Sequence, residues 1–321
     1  MKLNLILISI LVLIRLEQST AQTQIEYPHC NCVEKINTKE NDPEKLEGAY
    51  ELICKDKQIV SGSYSNGLKS GKWITKTPKG TIIKNVEYVE GKLHGKYELF
   101  YYNGTPKLSG NFVNGQEDGL WQYFNEKGKS IKSGSYQLGK PVDIWVITDK
   151  SGKKPLATYN MATVPLTNTE VPSYLKRGGI ERDDQSGEWY IKAPIAVNPQ
   201  SAVQPLGGYD LSRDLFFRYL PIPSTVMDTY INFNFQVRLE VEGNRVKNIQ
   251  AKLTDDIDFK YRQPSYPFMV STNPPGKLKR VQHSKRSINQ LEEDIEDAIR
   301  VMGPWIGNTT IDIRVPFVLN M

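Results

Sequence analysis

Side chains that could perform acid–base or nucleophilic chemistry are sparse in this chain of 321 residues. Its three histidines are His29, His94 and His283. None lies in a Gly-x-Ser-x-Gly, His-Glu-x-x-His or phosphate-loop motif, the patterns that hold reactive groups at fixed spacing. His94 could act as a general base, but it occupies a turn position, and we interpret it as structural or solvated. We therefore predict that the protein is not an enzyme and uses no cofactor.

Three cysteines, Cys30, Cys32 and Cys54, could perform redox or metal chemistry. In an oxidising compartment we expect one disulfide, which joins Cys54 to either Cys30 or Cys32. A zinc site formed by these thiols and His29 is the alternative, because thiolates and imidazoles are zinc ligands. The Cys-x-Cys spacing differs from the usual Cys-x2-Cys, so we favour the disulfide and predict no metal site.

The N-terminus predicts export. Lys2 precedes an apolar run over residues 3–14, and Ser19-Thr20-Ala21 supplies the small side chains that signal peptidase needs. We expect cleavage after Ala21, so that the mature protein begins at Gln22 and is extracytoplasmic, in the periplasm. The alternative is an uncleaved anchor, although the run is shorter than the ~20 residues that cross a ~30 Å hydrocarbon core. No later stretch is long and apolar, so we expect no transmembrane segment in the mature chain.

A repeat with a period of 24 residues occupies residues 46–153. Two aromatic columns and two glycine columns recur in four copies, and such coincidence is typical of a repeat array. The aromatic columns are Tyr64, Tyr88, Phe112, Tyr136 and Trp73, Tyr97, Trp121, Trp145; the glycine columns are Gly67, Gly91, Gly115, Gly139 and Gly80, Gly104, Gly128, Gly152.

Each copy predicts two short strands and two glycine turns. Asn114-Gly115 is a favoured hairpin turn because both residues tolerate positive φ. Residues 120–124, Leu-Trp-Gln-Tyr-Phe, then read as a strand. Four copies predict an antiparallel meander of roughly eight strands. The last copy is atypical, because Asp143 replaces the glycine of the other copies, and this is expected at the end of an array.

The repeat columns allow two functional interpretations besides packing. The column that contains Trp73 and Trp121 could stack on sugar rings, which would make the repeats a glycan-binding module. We favour a cross-strand packing ladder. The glycines could cradle a phosphate, but no helix follows them as in a phosphate loop, so we interpret them as turn residues.

Two stretches carry a family resemblance. Residues 91–97, Gly-Lys-Leu-His-Gly-Lys-Tyr, and residues 115–121, Gly-Gln-Glu-Asp-Gly-Leu-Trp, resemble the MORN repeat, in the variant found in bacterial proteins described as antitoxins. The resemblance covers residues 46–153 and implies an interaction scaffold. It does not imply toxin neutralisation, because the export signal argues against that role.

The repeat ends before a proline-rich stretch and a second pattern. Residues 154–206 read as a linker with a short hairpin near residues 188–191. Beyond it we predict a helix over 211–220, a strand over 231–242, and a return strand over 246–253. A helix then starts with a Ser287–Gln290 capping box and runs to about Arg300, and a final strand covers 311–319. The acidic residues of that helix, Glu292, Glu293, Asp294, Glu296 and Asp297, are expected to form a solvated face.

These C-terminal elements resemble the C-terminal domain of TonB and its relatives in exported Bacteroidota proteins. The residues that match are Gly207-Gly208, Pro223, residues 237–243 with Val246, residues 297–300, Pro304-Trp305 and residues 315–317. The resemblance implies a small sheet that meets partners at an open edge. We therefore expect residues 207–321 to fold alone, strand 311–319 to bind the partner, and the repeats to act as a rigid spacer. The alternative is that residues 254–286 cover that edge.

The predicted protein is mainly β with an α+β C-terminal domain. Its predicted segments are a signal peptide (1–21), a cysteine-containing segment (22–45), the repeats (46–153), the linker (154–206) and the TonB-like domain (207–321). The net charge of +5 does not indicate nucleic acid as a partner. We predict an exported cell-envelope scaffold that binds unidentified envelope proteins, with a glycan-binding module as the alternative. A basic cluster in residues 277–286 could contact an acidic lipid surface or a polyanion, although a solvated loop that offsets the acidic helix nearby is the favoured interpretation.

Overall fold

The computed structural model describes residues 20–163, 179–182, 189–192, 203–206, 220, 225, 231–254, 270–272 and 283–319. The predicted signal peptide up to residue 19 and the predicted helix over 211–220, apart from Leu220, lie outside these ranges. So does most of the 254–286 segment, including its basic cluster up to residue 282.

The N-terminal half is one antiparallel sheet of thirteen strands in which neighbours along the chain are neighbours in space, except that the short third strand pairs only with the second, and the second also pairs with the fourth. It extends beyond the predicted range 46–153 on both sides, because three strands begin before residue 46 and one follows residue 153. The strands are β1 Thr20–Tyr27, β2 Cys32–Lys39, β3 Asp42–Leu46, β4 Gly48–Cys54, β5 Lys57–Ser65, β6 Leu68–Lys76, β7 Ile82–Val89, β8 Lys92–Phe100, β9 Pro106–Val113, β10 Gln116–Phe124, β11 Ser130–Gln137, β12 Lys140–Thr148 and β13 Pro155–Asn160.

The turn between β9 and β10 shows why the repeat needs its Asn-Gly pair. Asn114 and Gly115 both have positive φ, 51° and 79°, which is the twisted two-residue turn that matches the twist of flanking strands. Asp143 also has a positive φ of 55°, the same left-handed conformation as Gly119 one copy earlier. The last copy therefore keeps the backbone irregularity of the repeat although it has lost the glycine.

One face of this sheet, called here the ladder face, buries both aromatic columns. Trp121 and Trp145 are fully buried, and their rings pack edge to face against Tyr136. The size of each ring is complementary to that of the residue opposite it on the neighbouring strand: glycine faces tryptophan, and valine faces tyrosine. A Cβ added at Gly134 would overlap the ring of Trp145, whereas the copy that carries the smaller Tyr97 has Val86 at that position. A sugar cannot stack on these rings, because their faces are covered.

Within the described residues, the C-terminal portion contains one helix and a four-stranded sheet in the order β18-β17-β21-β19. The predicted hairpin near residues 188–191 is present as β14 paired with β15, and the predicted strands near 231–242, 246–253 and 311–319 are all found. The elements are β14 Gly179–Arg182, β15 Trp189–Lys192, β16 Val203–Pro205, β17 Ile231–Glu242, β18 Arg245–Thr254, β19 Val270–Thr272, α1 Lys285–Val301, β20 Trp305–Gly307 and β21 Thr310–Leu319.

The start of α1 differs from the prediction. Its N-cap is Ser284, whose side chain accepts a hydrogen bond from the backbone N–H of Ser287 at 3.1 Å. Ser287 lies inside the first turn and is buried. The helix start predicted from the capping-box pattern at Ser287 and Gln290 is therefore one turn too late. Serine is an equally good N-cap three residues earlier.

The repeats and the C-terminal portion are not structurally separate, because the helix and the ladder face share one hydrophobic core. Leu291, Ile295 and Ile299 of α1 are fully buried in the same cluster as Trp121 and Trp145. The linker also contributes to this core, since β16 pairs with β20 and Leu206 is buried there. The predicted boundaries at residues 153 and 207 therefore do not separate two independent cores.

Cys32 and Cys54 form a disulfide between paired residues of β2 and β4. The choice that the sequence left open is thus decided in favour of Cys32. Cys30 is buried beside them, and its thiol donates to the carbonyl oxygen of Tyr27 at 3.4 Å. Strand pairing decides the outcome, because it places Cys32 directly opposite Cys54.

Serine at Cys32 or Cys54 is expected to lower the free energy of unfolding by roughly 3 kcal/mol, the loop-closure value for a separation of 22 residues. Urea unfolding of the oxidised proteins measures the change, and Cys30→Ser is the control that keeps the disulfide. A disulfide-linked Cys30–Cys54 peptide in a nonreducing digest of the native protein would contradict the assignment.

Candidate functional site

The acidic residues of α1 are not a solvated face, because each of them meets the rest of the fold. Asp294 is 5% exposed, and its carboxylate lies 3.5 Å from the ammonium of Lys84. The Asp297 carboxylate lies 2.9 Å from the same ammonium, and Glu293 pairs with Lys69. Burial raises the pKa of Asp294 to about 6, and Lys84 acts in the opposite direction. The amphipathic pattern predicted the helix but not where its polar side would lie.

Both ends of α1 are also paired with the sheet. Arg286, in its first turn, lies 3.5 Å from the carboxylate of Glu34 on β2. Arg300, in its last turn, lies 3.9 Å from Glu117 on β10. The helix therefore runs across the strands of the ladder face from β2 to β10. A positive charge in the last turn also complements the helix dipole.

Lys132 forms hydrogen bonds to the backbone at the C-terminal end of α1. Its side chain is 1% exposed, and its ammonium donates to the carbonyl oxygens of Met302, at 3.0 Å, and of Gly303 and Leu206. The ammonium also lies 4.9 Å from the ring centroid of Tyr123. Burial lowers the pKa of Lys132 to about 7, and the carbonyls and the ring offset that cost by favouring the charged form.

The repeat sequence itself indicates where α1 packs, through a column of residues that was not among the predicted columns. Val60, Lys84, Leu108 and Lys132 occupy one column at intervals of 24 residues, and the column faces the core. A lysine that replaces an aliphatic residue at a core-facing position needs a buried partner. The two lysines thus mark where something polar lies on the ladder face, and that element is α1.

A cleft of about 360 Å³ opens between α1 and the turns of the first repeats. Its walls include Lys69, Lys84 and Arg300, and each of these cations already pairs with a carboxylate of the fold. These three pairs therefore serve the docking of the helix, and Lys92, which also lines the cleft, is exposed.

Two further carboxylates of α1 cap the outer edge of β18. Glu296 accepts a hydrogen bond from the backbone N–H of Ala251, and Glu292 accepts one from that of Leu253, both at 2.8 Å. These contacts protect a strand edge that would otherwise present free donors. Burial raises the pKa of Glu296 to about 7, with Asp297 and Glu293 acting in the same direction and the Ala251 N–H and Arg300 opposing them.

Glu296→Gln is expected to stabilise the protein more at pH 8 than at pH 5. The folded state keeps a proton on Glu296 that the unfolded chain releases above about pH 4.5, so stability falls as pH rises from about 4.5 to 7. Glutamine does not titrate and still presents an oxygen to Ala251. Urea unfolding at both pH values measures the difference, and an equal effect at pH 5 and pH 8 would contradict it.

The predicted partner-binding strand is not a free edge along its length. β21 pairs with β17 on one side, and on the other side Phe317–Leu319 pairs in parallel with β19. β19 belongs to the 254–286 segment, so the alternative stated for that segment holds for the end of β21. A partner strand therefore cannot pair there without displacing β19.

An exposed apolar surface lies instead on the last repeat hairpin, on the face of the sheet opposite the ladder face. Val142, Ile144 and Val146 of β12 point to this outer face, and Ile144 is 55% exposed. At the same positions β8 has His94, Lys96 and Glu98. The repeats act as an internal control: each earlier copy has at most one apolar residue in the three positions.

The strand next to this surface is the end of the sheet. Within the described residues, no strand pairs with the outer side of β13. β13 has the sequence Pro-Leu-Ala-Thr-Tyr-Asn and carries no charge, whereas edge strands are usually protected by charged side chains. We call β13 together with Val142, Ile144 and Val146 the apolar strand edge. Lys140 and the pair Lys153 and Lys154 lie at its two ends and are exposed.

The histidines are not brought together. His29 lies between β1 and β2 and contacts the carbonyl oxygen of Thr225 at 2.7 Å. His94 lies on β8 and accepts a hydrogen bond from the backbone N–H of Asn114, at 3.4 Å. His283 precedes α1 and packs against Phe233. Each of them makes a structural contact on a different element.

A comparison of the chain with protein-family models found no match, and a comparison with curated proteins found none either. Within the described residues, no helix is long and apolar enough to cross a membrane.

Proposed function

We propose that this protein is an exported cell-envelope scaffold that binds another protein at the apolar strand edge. The observation that carries the proposal is the row Val142, Ile144 and Val146, which is apolar and partly exposed where earlier copies are mostly polar. Residues on the outer face are free to be polar, so three apolar residues there need a reason beyond folding.

The proposed partner is an extended segment with apolar side chains at alternate positions and acidic residues at both ends. It would add to β13 as a fourteenth strand, because unpaired backbone groups line an edge and accept such a segment. Its apolar side chains would lie beside Leu156 of β13, which is 38% exposed, and Ile144, which is 55% exposed, would extend the same apolar surface one strand further in, roughly 10 Å away. Its acidic ends would face Lys140 at one end and Lys153 and Lys154 at the other.

The extracytoplasmic location is part of the same proposal. It is supported by the N-terminal pattern and by the Cys32–Cys54 disulfide, since disulfides persist in oxidising compartments. β1 begins at Thr20, so the proposed cleavage after Ala21 would remove only its first two residues. N-terminal sequencing of the protein from its native host should give Gln22, and retention of Met1 would contradict export by a cleaved signal.

We retain the MORN-like and TonB-like assignments as proposals. The first is supported by the 24-residue hairpin unit and its turns, and the second by the order strand–strand–helix–strand in the C-terminal portion. The glycan-binding alternative through the aromatic ladder loses its basis, because that ladder lies in the core.

The experiment uses the full mature chain and a fluorescent peptide of sequence Glu-Glu-Val-Thr-Val-Thr-Val-Glu-Glu. Anisotropy should show saturable binding, and Ile144→Lys with Val146→Glu should weaken it at least tenfold. Both changes copy residues of β8, so they suit the repeat backbone. Leu68→Lys is the matched control, because Leu68 is 48% exposed and its column holds Lys92 in the next copy.

A second peptide, with proline in place of each threonine, tests the mode of binding. Proline has no backbone N–H, so this peptide cannot pair as a strand and should not bind. Equal binding of the two peptides, or an equal loss in the Leu68→Lys control, would overturn the proposal.

A further inference from the structure

The turns of the repeat sheet differ sharply in charge between its two ends. One end holds the turns 28–31, 55–56, 77–81, 101–105, 125–129 and 149–154, because the strand order is sequential. These turns contain seven lysines and three acidic residues. The lysines are Lys55, Lys79, Lys127, Lys129, Lys150, Lys153 and Lys154.

The opposite end has the reverse character. Its connections, residues 40–41, 47, 66–67, 90–91, 114–115 and 138–139, contain Glu40, Glu47 and Glu90 and no basic residue. The net charge of the chain is only +5, so the basic turns gather the positive charge at one end of the sheet rather than reflect a generally basic surface.

The lysines of the basic turns are available to a ligand. All seven are exposed, and within the described part of the chain none takes part in a salt bridge. Of the three acidic residues, Asp149 is turned inward on its own turn. Its carboxylate accepts hydrogen bonds from the hydroxyl of Ser151 and the backbone N–H groups of Lys153 and Lys154, and these bonds lower its pKa.

The spacing of the turns indicates a linear ligand. Successive turns of this row are separated by two strands, or roughly 10 Å, along the edge of the sheet, and Lys79 and Lys127 lie two such steps apart. Neighbouring strands of a sheet are rotated by about 20–25°, so the turns of several hairpins cannot all lie in one plane. A flexible anionic chain can follow such a line, whereas a flat anionic surface would meet only a few of the turns.

A tyrosine in the same row adds a feature that simple charge does not explain. Tyr102 lies in the turn 101–105, between the turns that carry Lys79 and Lys127, and its side chain is 73% exposed. An exposed aromatic ring has an apolar face and a polar hydroxyl, which suits a ring-shaped ligand that is itself amphipathic. A sugar ring has both properties.

We infer that this row of turns binds a linear anionic polysaccharide, with its acidic groups on the lysines and one sugar ring on Tyr102. The inference rests on the proposed export, which places the protein among envelope polymers. It shares Lys153 and Lys154 with one end of the apolar strand edge, but it does not depend on that edge, because Lys55, Lys79, Lys127 and Lys129 lie on other turns.

The test measures binding of the mature chain to polygalacturonate and to neutral dextran of similar length by isothermal titration calorimetry at several salt concentrations. Polygalacturonate should bind, and its affinity should fall as salt rises because each contact neutralises a charge. Changing Lys55, Lys79, Lys127 and Lys129 together to glutamine should weaken binding at least tenfold. Tyr102→Ala should weaken it several-fold with an unchanged salt dependence.

The matched control removes the same charge elsewhere, at the exposed residues Lys72, Lys92, Lys96 and Lys252. It should retain most of the affinity, and thermal unfolding checks that both sets of variants are folded. An equal loss in the two sets, binding of dextran, or binding of anionic vesicles without binding of polygalacturonate would overturn the inference. The peptide assay on the same variants reports separately on the proposed protein-binding edge, because none of these lysines lies at its ends.

Discussion

Lys132→Leu is expected to lower the free energy of unfolding by roughly 3 kcal/mol, even though leucine is the residue of the same repeat column at position 108. The substitution removes the ammonium donor from the carbonyl oxygens of Leu206, Met302 and Gly303 in a dry core, and the Gly303 oxygen keeps the hydroxyl of Tyr123 as a donor. Unsatisfied buried acceptors cost about 1–3 kcal/mol each, and the added apolar contact recovers part of that.

Urea unfolding followed by tryptophan fluorescence measures this effect, because Trp145 lies 5.9 Å from the ammonium of Lys132. Lys129→Leu is the control, because Lys129 is exposed on the adjacent turn and this substitution removes the same charge. A more stable Lys132→Leu protein would mean that the burial of the ammonium outweighs its hydrogen bonds. The helix would then be held by its apolar contacts and by the salt bridges of Lys69 and Lys84.

Gly134→Val is expected to destabilise the protein by about 3 kcal/mol or more, and the second substitution Trp145→Tyr is expected to restore part of the loss. A side chain at residue 134 would overlap the ring of Trp145. The double variant places valine between Trp121 and a tyrosine, which reproduces the arrangement of Val86 between Trp73 and Tyr97 in the second copy.

A double-mutant cycle measures this coupling. Trp145→Tyr alone should cost about 1–3 kcal/mol through a cavity and the loss of the Nε1 hydrogen bond to Ser135. The loss of stability in the double variant should be smaller, by about 1–3 kcal/mol, than the sum of the losses in the two single variants, because both changes act at one packing site. The reciprocal pair, Val86→Gly with Tyr97→Trp, is the control and should couple with the same sign. Additive effects in both copies would show that ring size and neighbour size are independent.

The period of 24 residues contained nearly everything needed for the repeat sheet. Asn-Gly pairs and aromatic columns act locally, since a turn conformation depends on its own residues and a ladder on cross-strand neighbours. The helix and strands of the C-terminal portion were also predictable, because apolar periodicity is a property of a single element.

The position of these elements relative to one another was not predictable in the same way. The acidic side of α1 reads as solvated because a periodicity shows only that one side is polar, and water and a buried lysine satisfy a carboxylate equally well. The lysine column with Lys84 and Lys132 did carry the missing information. A lysine column alone does not say which element supplies its partners, so it indicates the position of α1 only when the helix is already known to lie on the ladder face.

The amino-acid sequence by itself determined the hairpin unit, its turns, the aromatic ladder, the strands and the amphipathic helix. Only the tertiary structure decided that α1 covers the ladder, that Cys32 rather than Cys30 joins Cys54, and that β19 rather than a partner pairs with the end of β21. The physical reason is the range of the interactions. Turn and strand preferences are fixed by neighbouring residues in the sequence. The partner of a charge, a thiol or a strand edge depends instead on which sequence-distant group the fold places next to it.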